Sequence, residues 1–530
     1  SAETNDCSTA WQELKDRELT ARGVVVDNNS WGYVLGWNGP VNGFWVWEDT
    51  EEFFGAYDYE FTAPVDQIAR DRDILFVYSS GNEGDGVNLP SWGEHYHVNN
   101  FLEPVTSRLF CYSKNGSGTD CPAPCGTGAC ETVQHHTVLP YDTISVSAAA
   151  KNAIAVGAVD TAKNVMALSS RGPAKDGRVK PDVVARGSFV LSTLPTNSYG
   201  TRNGTSMAAP VVTGIAALLT EQWRRTFSAT PKPAHLKAVI LAGAEDLGDP
   251  GPDYTFGFGL VNAQASADLI VADGGASKHI RTGSVAQGQQ IELPIVVTNP
   301  QDVRVVLQWT DPPVFLPPNQ VHTAKALVND LDLKVVGPAG ETHLPYVLDK
   351  VNYTAPAARG VNTIDNSEMV EIANAAPGVY RIQVSGTNVL QGPQEAVVVS
   401  NARGPNPCVD PQEGAAVYGD LVPNQTISGG LCAAGDVDSY KFTVTESGAI
   451  SVDVTAGDTP LRVTLSSAQV NATLDVPAHA MRTLTTAAVT APLAVSLQIE
   501  GATALGVEPS YSFTPKFGQF SGPRRRSVRK

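Results

Sequence analysis

The stretch Asn203–Trp223, NGTSMAAPVVTGIAALLTEQW, decides how the first half of this 530-residue chain folds. Its apolar part predicts a buried helix over Val211–Trp223, after a glycine that permits a tight turn. Ser206 lies where that helix begins, and Pro210 is expected in the first turn, where a missing N–H costs little. Two roles are open for this serine: a helix cap, or a nucleophile whose developing oxyanion the first-turn N–H groups stabilise.

Short apolar strands upstream of this stretch alternate with helical segments. They are expected over Val24–Asp27, Ile74–Tyr78 and Ala153–Ala158. Strands of this kind predict a parallel α/β sheet that is buried on both faces and collects functional groups beyond its carboxyl ends. Asn82, in the sequence Ser79-Ser80-Gly81-Asn82, follows the second strand, and either a turn or a functional role suits it.

Several blocks carry a family resemblance. Gly204–Pro210 (GTSMAAP) resembles the nucleophile motif of the subtilisin-like serine proteases, the subtilases. The blocks Val24–Gly32 (VVVDNNSWG), Tyr78–Gly84 (YSSGNEG), Leu168–Pro173 (LSSRGP) and Lys180–Asp182 (KPD) follow in the order of that family. Where the family has Ala-Pro-Gly, this chain has Ala185-Arg186-Gly187. The resemblance implies a subtilisin-like parallel sheet flanked by helices.

The resemblance also implies a site. Ser206 would be the nucleophile, and the Asn82 side chain with the Ser206 N–H would form the oxyanion hole. Ser30, Trp31 and Gly32 would line one side of a peptide-binding cleft. Ser79, Ser80 and Gly81 would line the other. Protein or peptide substrates are expected, and the chemistry needs no cofactor.

The aspartate and histidine of the family's catalytic triad are missing from this sequence. Both should precede Val24, yet the 23 residues before it contain no histidine, and neither Asp6 nor Asp16 has the expected context. We therefore expect a sheet that is incomplete at its N-terminus and a chain that is inactive alone. Three explanations are open: a partial sequence, which we favour, a cleaved N-terminal fragment that stays associated, or a degenerate protein that acts as a binding or scaffold module through its β domains.

The cysteines indicate an oxidising compartment. Four of the seven, Cys111, Cys121, Cys125 and Cys130, lie in an insertion over 85–142 and allow three disulfide connectivities, while zinc is the less favoured alternative. Cys408 and Cys432 are expected to pair, which leaves Cys7 without a partner.

The remainder of the chain predicts two all-β modules after the α/β domain of residues 1–275. The first, over 276–402, resembles the β-sandwich or jelly roll that follows the catalytic domain in one subtilase branch. A linker over 403–414 leads to a β module over 415–517 that resembles a pre-peptidase C-terminal domain, and a basic tail covers 518–530. Asn329, Asp330 and Asp332 suit either structural calcium or the capping of a strand end.

Charge and hydropathy argue against a nucleic-acid-binding protein and against a membrane-spanning protein. The net charge of −17 disfavours nucleic acid as the main partner, because phosphate binding requires a basic face. No run of about 18 apolar residues predicts a membrane span. Together with the cysteines, this acidic composition is typical of a secreted bacterial enzyme.

Overall fold

The computed structural model describes residues 18–32, 36–41, 44–48, 53–84, 94–98, 104–112, 129–131, 140–275, 278–297, 299–317, 321–402, 418–419, 427–430, 437–444, 447–456, 460–478, 480–501 and 510–516. Of the predicted features, Cys7, Cys121, Cys125, Cys408, Cys432 and the basic tail lie outside these ranges. A helix is expected over residues 10–22, and its described part is helical over 18–21.

Besides the helical residues 18–21, the described part of the α/β region contains twelve strands and four helices. The strands are β1 (Val26–Asn29), β2 (Gly36–Val41), β3 (Phe44–Glu48), β4 (Tyr57–Asp58), β5 (Leu75–Ser79), β6 (Glu94–Val98), β7 (Pro104–Tyr112), β8 (Ala129–Glu131), β9 (Ile154–Val159), β10 (Val183–Arg186), β11 (Val190–Leu194) and β12 (Ser198–Arg202). The helices are α1 (Thr62–Arg72), α2 (Thr205–Phe227), α3 (Pro233–Gly243) and α4 (Ala263–Asp273), and a 3-10 turn covers Val146–Ala149.

Four of these strands form a parallel sheet in the order β1-β5-β9-β10. Every residue of β5 and β9 is buried, as expected for central strands with apolar side chains on both faces. Helix α2 packs on one face through Ala208, Val212 and Leu219, and α1 packs on the other through Val65 and Ala69. The predicted α/β sheet flanked by helices is therefore present.

The prediction of a buried helix over Val211–Trp223 is confirmed for one face of α2 and wrong for the other. Leu218 is 63% exposed and Val211 38% exposed, whereas Val212 and Leu219 are buried against the sheet. Apolar residues run around the whole helix, but the sheet and α4 cover only part of its circumference within the described residues.

The segment 85–142 contributes to a second sheet. Its strands β6, β7 and β8 join β2 and β3 in the order β2-β3-β6-β7-β8. Strands β7 and β8 run parallel, and their register sets the Cα of Cys111 opposite that of Cys130.

A β-sandwich follows. Its strands are β13 (Ile280–Val285), β14 (Gln290–Val297), β15 (Gln301–Trp309), β16 (Val321–His322), β17 (Asn329–Val336), β18 (Thr342–His343), β19 (Tyr346–Val347), β20 (Ala358–Arg359), β21 (Ser367–Ala375), β22 (Gly378–Val389) and β23 (Gln394–Ser400). Two antiparallel sheets, β13-β23-β15-β21 and β14-β22-β17-β18, enclose one apolar core. Val306, Met369 and Val399 also belong to the core of the α/β domain, so the two units share a continuous interior.

The last module is also antiparallel in most of its pairings. Its strands are β24 (Tyr418–Gly419), β25 (Ile427–Gly430), β26 (Val437–Val444), β27 (Gly448–Ala456), β28 (Leu461–Ser467), β29 (Asn471–Val476), β30 (Met481–Val489), β31 (Leu493–Gly501) and β32 (Ser510–Lys516). They form the sheets β24-β26-β31-β28-β29 and β25-β32-β27-β30. The core between them draws on residues 440–513 alone.

Candidate active site

Ser206 is the second residue of α2, and the helix cap is Gly204. A φ of 147° at Gly204 explains why a glycine precedes the helix, because residues with a side chain rarely adopt that angle. The Ser206 side chain is half-buried, and within the described residues its Oγ makes no hydrogen bond. The alternative that this serine serves as the helix cap is therefore excluded.

Pro210 lies inside α2, and the prediction that it falls in the first turn is wrong. It is the sixth residue, since the helix begins six positions earlier than the predicted Val211. Proline at this position has no N–H to donate to the carbonyl oxygen of Ser206, four residues before it.

Asn82 follows the carboxyl end of β5 and meets the N-terminus of α2. Its Oδ1 accepts a hydrogen bond from the Thr205 N–H at 2.9 Å and lies 3.0 Å from the Thr205 hydroxyl. With Oδ1 held in this way, Nδ2 is the group left to donate, and within the described residues it has no acceptor. A Cβ built on Gly204 would lie 3.4 Å from Asn82 Oδ1 and 3.7 Å from both Asn82 Nδ2 and the Ser206 nitrogen, so the Asn82 amide lies close to the start of α2.

The turn between β5 and Asn82 is braced by a neighbouring loop. Ser170 accepts a hydrogen bond from the Glu83 N–H at 3.0 Å and donates its hydroxyl to the Glu83 carboxylate at 2.9 Å. Gly81 has a φ of 116°, and a Cβ there would come within 2.6 Å of Ser170 Oγ. The glycine therefore lets the loop approach the turn and fixes the direction of Asn82.

The two predicted cleft walls are brought together through a residue that the sequence did not single out. The Ser145 N–H donates to the Ser80 carbonyl oxygen at 2.8 Å. On its other side, the Ser145 Oγ lies 2.6 Å from where a Cβ on Gly32 would be. Ser145 thus lies between the wall that contains Gly32 and the wall that contains Ser80, with the Ser147 hydroxyl 3.5 Å away.

In the rest of the two walls, the Trp31 side chain is 38% exposed but contacts neighbouring residues. Trp31 sets its ring edge-on to Tyr78 and Phe61, at centroid distances of 6.1 and 6.4 Å, and its Nε1 donates to Asn29. Ser79 and Ser80 are buried, and the Ser80 hydroxyl donates to the Ser170 carbonyl oxygen.

Three of the described histidines have hydrogen-bond partners remote from the Ser206 hydroxyl, while the buried His343 Nε2 has none among the described residues. His235 accepts from the Lys232 N–H through Nδ1 and bonds Thr282 through Nε2, and burial lowers its pKa to about 4. His279 bonds the Ser400 carbonyl oxygen, and His322 bonds that of Lys325. His135, His136 and His479 lie outside the described residues. Within the described chain, neither histidine nor carboxylate is hydrogen-bonded to Ser206.

Buried charges lie behind the sheet rather than at the nucleophile. Asp182 is buried between Lys180 and Lys237, at 2.6 and 2.7 Å, and accepts from the Ala155 N–H. Burial opposes the charge of Asp182, but the two lysines hold the pKa of this carboxyl below its usual value. Burial lowers the pKa of Lys180 to about 8. The block Lys180–Asp182 therefore braces the sheet.

The suggested calcium ligands have protein partners only in part, because Asp330 Oδ1 and Asp332 Oδ1 are buried without a hydrogen-bond partner among the described residues. Asn329 donates to Gln391 and Gln394, and Asp330 pairs with Lys325 at 2.7 Å. In the part of the chain that the structure describes, no group of three or more His, Cys, Asp or Glu side chains is arranged to hold a metal ion. The contacts of Asn329 are those expected from the structural alternative, and calcium stays a prediction.

Comparison with known proteins supports a serine-type peptidase. Residues 2–259 match the model of the subtilase family, Peptidase S8. Subtilisin DY of Bacillus licheniformis is 40% identical over 126 residues, which are 24% of this chain and 41% of that protein. Serine protease AprX of Bacillus subtilis is 32% identical over 172 residues, 30% of this chain and 35% of the relative. The chain thus matches less than half the length of these two relatives.

The structure of the patellamide maturation protease PatA matches 48% of this chain and 66% of its own, at 21% identity and a TM-score of 0.31. In addition, none of the described helices is long and apolar enough to cross a membrane.

Proposed function

We propose that this chain is the larger part of a secreted, subtilisin-like serine endopeptidase, with Ser206 as its nucleophile. The observation that carries the proposal is the junction of β5 and α2, where Thr205 anchors Asn82 beside the Ser206 N–H. Two donors converging beside a serine without a hydrogen-bond partner suit acyl transfer, whose intermediate carries a negative oxygen. The family match over residues 2–259 supports the same chemistry.

The reaction proceeds through an acyl-enzyme. The Ser206 Oγ bonds to the scissile carbonyl carbon while its proton passes to a histidine, and the carbonyl oxygen becomes the oxyanion held by Asn82 Nδ2 and the Ser206 N–H. The C–N bond then breaks, and the amine leaves with the proton from the histidine. Water then bonds to the ester carbonyl carbon while its proton passes to the histidine, and the ester C–O bond breaks as the histidine returns that proton to the Ser206 Oγ.

The activating aspartate and histidine belong, in this proposal, to an N-terminal segment absent from this sequence, either continuous with the chain or cleaved and associated. Among the described residues, the Ser206 hydroxyl has no hydrogen-bond partner, and this observation supports an activating group on another segment. A serine hydroxyl without a base is a weak nucleophile, so residues 1–530 alone are inactive.

The cleft between Ser30–Gly32 and Ser79–Gly81 binds the substrate in an extended conformation, with main-chain hydrogen bonds as in strand addition. The Ser145 and Ser147 hydroxyls narrow the space between these walls. Small or polar side chains are therefore the favoured occupants beside the scissile bond.

Fluorophosphonate labelling tests the proposal. Residues 1–530 alone should label weakly. The same chain produced with its upstream coding sequence should label strongly at Ser206, with the label located by peptide mass spectrometry. Ser206→Ala is the variant that should abolish labelling, and Ser188→Ala serves as a matched serine control in the neighbouring loop.

A folded, N-terminally extended protein that still does not label would contradict the endopeptidase. The alternative, an inactive scaffold that acts through its β modules, would then be the better account.

A further inference from the structure

The segment 143–152 connects the cleft to the β-sandwich. At one end, Ser145 contacts Gly32 and Ser80, as described above. At the other end, Lys151 and Asn152 lead into β9, and every residue from Thr143 to Asn152 is buried. Ser145 and Lys151 thus lie a few residues apart in one closely packed segment, the kind of packing that can transmit a shift from one end to the other.

Lys151 is held by the sandwich. Its ammonium group is fully buried and donates to Asp311 Oδ2 at 2.5 Å, to the Pro312 carbonyl oxygen at 2.6 Å and to the Ala326 carbonyl oxygen at 2.8 Å. All three donors of the ammonium are thus used, each by an acceptor beyond residue 310.

Asn152 makes a reciprocal contact with the same aspartate. Its Nδ2 donates to the Asp311 carbonyl oxygen and its Oδ1 accepts from the Asp311 N–H, each at 2.9 Å. Asn366, also in the sandwich, donates to the same Oδ1 at 3.1 Å. Asp66 of α1 clamps the backbone of this segment by accepting from the Asn152 N–H at 2.8 Å.

The Asp311 carboxylate is itself oriented. Its two oxygens accept from the N–H groups of Val328 and Asn329 at 2.9 and 2.8 Å. These two bonds orient the Asp311 carboxylate within the sandwich independently of Lys151, so the Lys151–Asp311 contact has a defined geometry.

We propose that Asp311 is a positioning residue of the peptidase: through Lys151 and Asn152, the β-sandwich holds the segment 143–152 that places Ser145 between the two cleft walls. This inference rests on the proposed function, since it concerns the cleft of that peptidase. The sandwich is then part of the substrate-binding unit, although none of its residues touches the substrate.

A buried ion pair is weak evidence for stability, because desolvation cancels much of the attraction. Its removal from one side leaves an unpaired buried charge, and that loss is severe. A pair retained in the interior is therefore better explained by the geometry that it imposes, which is the role assigned to Asp311.

Hydrogen exchange measured on residues 1–530 tests the inference without any catalysis. Asp311→Asn should speed amide exchange in the segment 143–152 at least tenfold. Glu371→Gln is the control, because it breaks another ion pair of the sandwich, Arg304–Glu371 at 2.6 Å, whose arginine also donates to the Ala244 carbonyl oxygen of the α/β domain. That control should leave exchange in 143–152 unchanged.

The double variant Lys151→Met with Asp311→Asn separates positioning from stability. Because this variant has no unpaired charge, it should regain much of the lost melting temperature. Amide exchange in the segment 143–152 should nevertheless stay fast, because the hydrogen bonds from Lys151 to Pro312 and Ala326 are gone as well. Exchange protection that returns together with the melting temperature would overturn the inference. So would equal exchange rates in 143–152 for Asp311→Asn and Glu371→Gln.

In the N-terminally extended, active protein, Asp311→Asn should raise KM more than it lowers kcat and reduce the preference among side chains beside the scissile bond. Unchanged selectivity together with unchanged KM would also overturn the inference. If the extended protein proves inactive, the proposed function fails, while the exchange experiment still decides whether the sandwich holds this segment.

Discussion

At the scale of single residues, the N-terminus of α2 assigns complementary roles to adjacent side chains. Thr205 holds the amide of Asn82, and Ser206 next to it presents a hydroxyl without a partner among the described residues. In the proposed peptidase, Thr205 orients a hydrogen-bond donor and Ser206 is the residue that reacts. This arrangement depends on the glycine at position 204, whose positive φ turns the chain into the helix.

Asn82→Leu should lower turnover of the active, extended protein by about 10²–10³-fold, the loss known for removal of one oxyanion donor in subtilisin. Binding of substrate should change little, since the donor acts on charge that develops only in the transition state. Steady-state kinetics on a peptide amide measure this. Thr205→Val, which loses only the hydroxyl beside Asn82, should cost less, and an Asn82→Leu enzyme of normal turnover would exclude the oxyanion role.

Ser145→Gly should widen the space between the cleft walls. The Ser145 Oγ occupies the position 2.6 Å from a Cβ built on Gly32, so its removal leaves room for a larger side chain. We expect the ratio of kcat/KM for an aromatic over a small residue beside the scissile bond to rise about tenfold, as one methylene in a pocket is worth that much. Ser147→Gly should have the smaller effect, and an unchanged ratio would show that Ser145 does not limit the pocket.

At the scale of secondary-structure elements, α3 links the two units through a neutral histidine. His235 accepts from the Lys232 N–H, bonds Thr282 of β13 and packs edge-on against Trp223 at 4.8 Å. Protonation would remove the acceptor at Nδ1 and charge a buried ring.

Stability should therefore fall between pH 6.5 and pH 4. Burial lowers the pKa of His235 to about 4 in the folded state, so the unfolded chain binds the proton first as the pH falls. His235→Gln should reduce the difference in melting temperature between pH 7 and pH 4.5 by a few degrees. Burial raises the pKa of Asp253 and of Asp365 to about 6, so these two groups increase the stability as the pH falls. Their contribution is the same in the wild type and in His235→Gln, and it cancels in the comparison. Parallel melting curves for wild type and variant would contradict this account.

The pairing of β7 with β8 favours one of the three possible disulfide connectivities in the segment 85–142. Adjacent strands lie about 4.8 Å apart, within the Cα separation that a disulfide spans. Because the Cα atoms of Cys111 and Cys130 share a register position, we predict that these two cysteines form a disulfide. Peptide mapping without reduction checks this, and a Cys111–Cys121 peptide would disprove it.

At the scale of the whole molecule, the α/β domain and the sandwich fold as one body, whereas the last module has a core of its own. Val306, Met369 and Val399 lie in the core of the α/β domain, and β4 pairs with β16 across the junction. The last module packs Tyr440 and Phe513 within its own two sheets.

Truncation should expose this difference. A chain that ends at Ala402 should keep the melting temperature of the first two units. A chain that ends at Gly275 should be insoluble, because it uncovers an apolar face and leaves the buried Lys151 without Asp311. Calorimetry and size-exclusion chromatography measure both, and a soluble, cooperatively folded 1–275 chain would refute the shared core.

Much of this architecture follows from the sequence alone. The apolar strands before Asn82, the Gly-Thr-Ser start of α2 and the alternating strands after residue 276 depend on local patterns, because each describes which faces of one element are buried. The buried face of α2 does not follow from the sequence. Apolar residues occur on several sides of this helix, and only the packing shows that Leu218 is exposed.

The sequence by itself predicted a nucleophile, an oxyanion partner and the kind of sheet that presents them, because those residues lie at strand and helix ends marked by glycines. Only the tertiary structure decided that Thr205 orients Asn82, that Ser145 lies between the cleft walls, and that Asp311 holds Lys151 from 160 residues away. Such contacts leave no local trace, since a buried serine or lysine has no periodic pattern, and its partner is chosen by the folding of distant segments against each other.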